Sequence, residues 1–314
     1  MMQVTLWGTR GSIATPGAET FRYGGNTACV QVRGANDAVL VLDAGTGVRR
    51  LGESLPCSVR RIDILLSHLH MDHIQGLGFF APLHNPNREI HIWGPASPTL
   101  NLRECLMRYL SPPLFPVRLR DLPCRLVLHE VPCGDFKVGD FHISSAFICH
   151  PGPTVGYRIA TSHAVLAYLT DHEPALGVPR FPLTKEWTSG YAIAAGADLL
   201  LHDAQYSSEE YVRCVGWGHS SLEHAVAFAT LAKVKHLVTF HHDPTHTDED
   251  LDRFLAKVLA TTTPNFTVTP GREGASFLLG KIDTRRTGAR RLVANKTSRC
   301  QRKRHPRAPK RSAM

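Results

Sequence analysis

The sequence predicts a layered α/β protein in which many strands carry a few covering helices, and three observations lead there. Short β-branched or Leu-rich runs bounded by Gly, Asn or Asp recur along almost the whole chain. Two stretches in the second half set apolar residues at helical spacing behind a capping signal. No repeat, low-complexity segment or Gly/Ser- or Pro-rich linker divides residues 1–280, so the layers are expected to form one domain.

Taken in order, strands are expected at residues 4–7, 27–32, 38–42 and 62–66, each ending where polar residues begin. Similar runs follow at 89–93, 125–131, 141–147, 155–160, 165–169, 199–201, 237–239 and 276–279. Helices are expected to be fewer and to lie mainly in the second half. Ser220 with Glu223 reads as a capping box before a face of Leu222, Ala225, Val226 and Ala229. Thr247 with Asp250 opens a second helix, whose apolar face is Leu251, Phe254, Leu255, Val258 and Leu259.

The net charge of +9 is confined to one end. From residue 281 onward there are thirteen Lys or Arg against the single acid Asp283, which leaves residues 1–280 at −3. Residues 281–314 lack apolar periodicity and are expected to be a basic, disordered, solvated tail. An RNA contact through that tail is the weaker alternative. No apolar run approaches the roughly 18 residues of a membrane-spanning helix, so a membrane protein is not expected. The opening MMQVTLWGTRGS has no basic segment followed by an apolar one, so a cytoplasmic location is expected. The eight cysteines include no Cys-x-x-Cys pair and are expected to be reduced, mostly as small buried apolar groups.

The chemistry is concentrated in LLSHLHMDHIQG, where His68, His70, Asp72 and His73 leave the exit of an apolar strand. A strand period of two would put His68 and His70 on one face, with Asp72 and His73 in the turn beyond. Imidazole and carboxylate donors so close together suit metal ions, and burying them without a cation would leave costly unsatisfied atoms.

Around this cluster the chain carries GTRGSIATPG, YGGNT, VLVLDAG, WGP, HPGPTVGYRI, AYLTDHE, LLLHDAQY, GHSS and FHHDP in that order. With them it resembles the metallo-β-lactamase superfamily, in the branch of ribonuclease Z and small phosphodiesterases, over nearly all of residues 2–280. The resemblance implies a four-layer αββα metallo-β-lactamase fold with two divalent metal ions. It assigns His68, His70 and His150 to the first ion and Asp72, His73 and His241 to the second, with Asp171 bridging. Zinc is the default ion, although manganese or iron suits the same donors. His242 adjoins His241 and competes for its place; the resemblance favours His241, with His242, Asp243 and His246 around the rim. Asp203 and His219 match an acid–histidine pair that assists the leaving group, with Asp where ribonuclease Z usually has Glu. Asp72 or Asp171 would orient the nucleophile.

The implied function is a dinuclear metal-dependent hydrolase that cleaves a small phosphodiester, such as a cyclic nucleotide or cyclic phosphate, with a metal-bound hydroxide. Ribonuclease Z generally carries a tRNA-gripping arm between the positions of His150 and Asp171. Here those residues are separated by only twenty others, which turns the expectation from tRNA toward a small substrate. The alternatives are an RNA-processing nuclease of ribonuclease Z type, a thioester or lactam hydrolase, and a non-catalytic metal-binding sensor. The family also implies a homodimer. GTRGS and GGNT are read as glycine turns that either offer N–H groups to a phosphate or are purely structural. MRYLSPPLFPVRL is read as a lid or pocket wall, in which Tyr109 and Phe115 either stack on substrate or, as expected, pack internally.

Overall fold

Alternation defines the first strand: in β1 (Met2–Gly8) Met2, Val4 and Leu6 are buried while Gln3, Thr5 and Trp7 are partly exposed, giving one apolar face. The computed structural model describes residues 1–35, 38–176, 181–182 and 184–280. The expected basic tail, residues 281–314, lies outside the described residues. After β1 come β2 (Cys29–Arg33), β3 (Val39–Leu42), β4 (Arg61–Leu65), β5 (Glu89–Pro95) and β6 (Arg125–Val131). A second run comprises β7 (Gly134–Val138), β8 (Phe141–Phe147), β9 (Val155–Ala160), β10 (Val165–Leu169), β11 (Leu199–Asp203), β12 (His236–Phe240) and β13 (Thr267–Pro270). The chain then returns through β14 (Ser276–Leu279) to pair antiparallel with β1.

Two mixed seven-stranded sheets result, ordered β14-β1-β2-β3-β4-β5-β6 and β13-β12-β11-β10-β9-β8-β7. Strands β3 to β6 run parallel, as do β10 to β13. Between the sheets, Val4, Leu6, Val30 and Leu40 meet Tyr157, Ile159, Leu166, Leu201 and Phe240. The outer face of the first sheet packs Ile62, Ile64 and Ile92 against α1 (Val48–Ser54) and α3 (Leu102–Tyr109). The outer face of the second packs Ala167, Leu200 and Leu237 against α4 (Tyr191–Ala194), α6 (Leu222–Leu231) and α7 (Asp248–Thr262). The order of layers is helix, sheet, sheet, helix, the four-layer αββα arrangement. Two further helices, α2 (Met71–Ile74) and α5 (Ser208–Cys214), complete the set.

Five expected strands coincide with β6, β8, β9, β10 and β14, and the others end within two residues of observed ones. The two strands the sequence did not suggest, β7 and β13, are the two edges of the second sheet. Their half-exposed GDFKV and TVTP carry the charge and proline typical of edges instead of an apolar alternation. Most of the described α-helical residues lie in the second half, as expected, and three further helices occur in the first. Helix α1 begins at Gly47 with no side-chain cap and is held by packing, whereas α3 has an Asn101–Glu104 capping box that was legible and overlooked. Thr247 and Asp250 cap α7 as expected. The cap of α6 is Ser221, whose side chain accepts from His224 N–H at 3.1 Å. Ser220 is drawn away instead: its N–H donates to Asp203 and its hydroxyl to the His172 carbonyl. Of the seven described cysteines, all free thiols, only Cys29 and Cys124 are buried, so the expectation of mostly buried thiols holds for those two alone.

Candidate metal centre

The site forms where parallel strands of both sheets end. Strand β4 stops at Leu65 because the next amide but one, Ser67 N–H, donates to Asp43 Oδ1 at 2.7 Å and leaves the ladder. His68 and His70 therefore stand in the loop beyond the strand, and Asp72 and His73 on α2; the expected shared strand face is replaced by a loop and a single helical turn. From the second sheet, Asp171 follows β10, Asp203 ends β11 and His241 follows β12. Asp43, Asp171 and His241, together with Ser12 from GTRGS, all hold left-handed backbone (φ 56°, 49°, 60° and 59°). Such conformations cost about 1–3 kcal/mol each for residues with a side chain and cluster at functional sites. Here they turn side chains from strand ends into a common space. Glycine is needed where backbone comes closest: a Cβ on Gly11 would lie 2.4 Å from the His241 ring, and one on Gly218 (φ +87°) 2.2 Å from His150 Nδ1.

Two donor groups meet at Asp171, one of His68, His70, His150 and Asp171 and one of Asp72, His73, Asp171 and His241, and a third, Asp203, His219 and His241, adjoins the second. Asp171 faces the first two. Its Oδ2 lies 3.5 Å from His68 Nε2 and 3.9 Å from His150 Nε2, while its Oδ1 lies 3.1 Å from His73 Nε2 and 3.2 Å from His241 Nε2. Asp72 Oδ2 is 3.2 Å from His73 Nε2 and 3.1 Å from His241 Nε2.

The hydrogen-bond network fixes which nitrogens face inward. His73 Nδ1–H donates to Asp43 Oδ2 at 2.8 Å. His150 Nδ1–H donates to the Gly218 carbonyl at 2.9 Å, and His241 Nδ1–H to Gln205 Oε1 at 2.9 Å. Ser67 spends its hydroxyl proton on Asp43 Oδ2 and so accepts from His68 Nδ1–H at 3.0 Å. Four imidazoles thus direct bare Nε2 lone pairs toward carboxylate oxygens, an arrangement that repels unless a cation lies between. His68 Nε2 is buried with no hydrogen-bond partner, as expected of an atom reserved for an ion. The residues fit a pair of metal ions.

Electrostatics agree for His68 and His150; at His73 burial opposes protonation, but the charges of Asp171, Asp72 and Asp43 outweigh it and raise the imidazole well above its ordinary value, an excess of negative charge that a cation would offset. Burial, reinforced by His73, holds His68 well below the ordinary imidazole value, and burial lowers His150 to about 4, so both stay neutral and able to ligate. Burial would raise Asp171 and Asp72, but the surrounding histidines outweigh it and keep both carboxyls ionised far below their usual range. Beside the donors, His219 Nδ1–H donates to Asp203 Oδ2 at 2.7 Å, and its ring stacks on His241 with centroids 5.0 Å apart. Burial opposes protonation of His219, yet the charge and hydrogen bond of Asp203, aided by Asp171 and Asp72, raise it to about 9.

Every residue of the expected ligand set and acid pair is therefore brought together. His242 is not: it is buried rather than at the rim, and its Nε2–H donates to the Gly271 carbonyl at 2.9 Å. His246 is tied to Glu210 at 2.9 Å, and Asp243 accepts from Thr245 and Gln205. The Ser12 amide, a candidate phosphate donor, is spent on Asp72 Oδ2 at 2.7 Å, and the GGNT turn is held by Glu273, which accepts from Asn26 N–H at 2.6 Å; both turns are structural. Phe115 is buried and Tyr109 donates to the Gln75 carbonyl, so these aromatics pack internally. Sequence reasoning missed Asp43, Ser67, Gln205 and Tyr168, whose hydroxyl donates to Asp43 at 2.8 Å. Asp43 stands in the motif VLVLDAG, to which the sequence reading gave no role at the site.

A family model described as "Beta-lactamase superfamily domain" matches residues 39–242, a span that holds both donor groups. Ribonuclease Z of Gemmatimonas aurantiaca is 25% identical over 244 residues, 64% of this chain and 76% of that protein. Among solved structures, a diphosphatase from the PhnP family aligns with TM-score 0.63 and 17% identity, over 90% of this chain and 98% of its own. The short form of human tRNase Z aligns with TM-score 0.62 and 20% identity, over 89% and 100%. At such identities these structures speak for the fold alone.

Proposed function

Because the chain belongs to the beta-lactamase superfamily and is a metal-dependent hydrolase, we propose that it cleaves a small phosphodiester between the two donor groups. In this reading His68, His70 and His150 hold one divalent ion, Asp72, His73 and His241 the other, and Asp171 both. Zinc is the ion we assign, in keeping with the imidazole-rich donors. Two such ions supply Lewis acidity toward phosphoryl oxygens and a water acidified to near neutrality.

The observation that carries the reading is the Asp203–His219 pair at 2.7 Å beside the donors. Asp203 takes Nδ1–H and sustains the imidazolium, leaving Nε2–H for a leaving oxygen, as a general acid requires. An alkoxide leaves a phosphodiester poorly without a proton, whereas a thiolate needs none. Asp72, oriented by the Ser12 amide, is placed to align the attacking water. Between His150 and Asp171 the chain forms only a short loop and the β9–β10 pair, with no projecting arm to hold tRNA, which favours a small substrate.

Ribonuclease Z activity is the second reading, favoured by the similarity to ribonuclease Z of Gemmatimonas aurantiaca. A panel of 2′,3′- and 3′,5′-cyclic nucleotides, cyclic phosphate sugars, precursor tRNA and a thioester separates the possibilities. We expect turnover of the small phosphodiesters; turnover of the thioester alone overturns the proposal, and cleavage confined to precursor tRNA establishes the second reading.

A further inference from the structure

Trp217 is 60% exposed, yet its backbone is held by hydrogen bonds on both sides. The flanking glycines have left-handed φ of +86° and +87°, a conformation that releases the tryptophan from the chain's course. Both glycine amides donate to one buried carboxylate, Glu173, with Gly216 N–H at 3.0 Å and Gly218 N–H at 2.9 Å, and the Tyr211 hydroxyl adds a third bond at 2.6 Å. Glu173 itself is 1% exposed. Trp217 N–H closes the turn on the Cys214 carbonyl at 3.0 Å.

This rigid turn leads directly into His219, and Trp217, Gly216, Pro151 and His219 line a common cavity of about 890 Å³. An open tryptophan face exposes apolar area to water, a state normally relieved by burial. On a convex surface that would be unremarkable. Here the indole borders the space beside the general acid, where the alcohol half of a cleaved diester must lie if His219 protonates its oxygen.

Resting on the phosphodiester reading above, we propose that Trp217 is a stacking platform for the leaving half of the substrate, and that this half carries a nucleobase. Any base presents a π-face, so stacking confers affinity for nucleoside derivatives without selecting among bases. The substrate class is thereby narrowed from phosphodiesters in general to cyclic nucleotides and related nucleoside diesters. A sugar cyclic phosphate without a base would bind through its phosphate alone.

The test uses the full-length, metal-loaded protein as wild type, Trp217→Ala and Trp217→Phe, with 2′,3′-cyclic AMP and the baseless methyl riboside 2′,3′-cyclic phosphate as substrates. Trp217→Ala should raise KM for the nucleotide about tenfold, leave the baseless compound unchanged, and be largely rescued by Trp217→Phe. A parallel calorimetric arm reads the subsite without turnover: wild type should bind adenosine 3′-monophosphate more tightly than inorganic phosphate, and Trp217→Ala should lose that advantage while binding phosphate normally. Equal effects of Trp217→Ala on both substrates, or none on the nucleotide, overturn the platform. If wild type cleaves neither diester but keeps the Trp217-dependent preference for the nucleotide, the platform stands and the phosphodiester reading falls.

Discussion

Four imidazoles at the donor groups commit Nδ1 to an acceptor and keep Nε2 bare, and two of those commitments trace to one residue. Asp43 takes the His73 Nδ1 proton directly and holds Ser67, which in turn orients His68. Removing its charge should weaken metal binding at both groups without removing a ligand. Asp43→Asn is expected to lose about 10–100-fold in metal affinity, read by competition with a chromophoric chelator; unchanged affinity would mean that Asp43 only packs. His219 admits a different test. His219→Asn should slow cleavage of alkyl diesters about 10²–10⁴-fold while sparing p-nitrophenyl esters, whose leaving group needs no proton; an equal loss for both would remove the general-acid role. The candidate ligands were legible because four donors within six residues form a pattern, and ordered motifs supplied His150, Asp171 and His241. Asp43, Gln205 and Ser67 stand in the motifs VLVLDAG, LLLHDAQY and LLSHLHMDHIQG, but their part in orienting the histidines was not legible, since hydrogen bonds between distant strand ends leave no spacing to read.

Elements were legible wherever burial is two-sided or alternating. Strand β3, VLVL, is buried at every position, so its sequence could read only as interior. Strands β7 and β13 escaped notice because GDFKV and TVTP carry charge, glycine or proline in place of a clear apolar run, whereas the other two edges, β6 (RLVLHEV) and β14 (SFLL), keep one. Helix ends were legible when a side chain did the capping, as at Thr247. That cap satisfies the Asp250 amide while Asp250 accepts from the Thr247 amide. Thr247→Ala should therefore lower stability by about 1 kcal/mol, measured by urea denaturation; no change would mean that packing alone fixes the start of α7. Ser220 shows the limit of such signals. A capping-box sequence predicts a cap only if no stronger partner claims the serine, and here the His172 carbonyl takes its hydroxyl while Asp203 takes its amide.

Over the whole molecule, buried histidines make stability depend on pH. His202, Nδ1–H donating to the Asp203 carbonyl, is lowered by burial to about 4, and His242 by burial and Arg10 to about 3. Their unfolded values lie near 6.5. At these two sites the folded state resists protons that the unfolded chain accepts, so their contribution is full above about pH 6.5 and declines as pH falls toward 4, whereas His219, raised to about 9, contributes stability that is lost as pH rises. Urea midpoints of the chelator-treated protein between pH 7.5 and 5.0 should therefore shift less favourably for wild type than for a His242→Gln variant, and identical shifts would contradict the neutral, buried assignment of His242. No helix among the described residues is long and apolar enough to cross a membrane.

The account turns on two ions acting together at a site that both sheets build. Its most direct test is a zinc titration of the metal-free protein with bis(p-nitrophenyl) phosphate hydrolysis followed at each step. The account predicts activity that reaches its maximum only at about two equivalents per chain; full activity at one equivalent, or none at two, would contradict it.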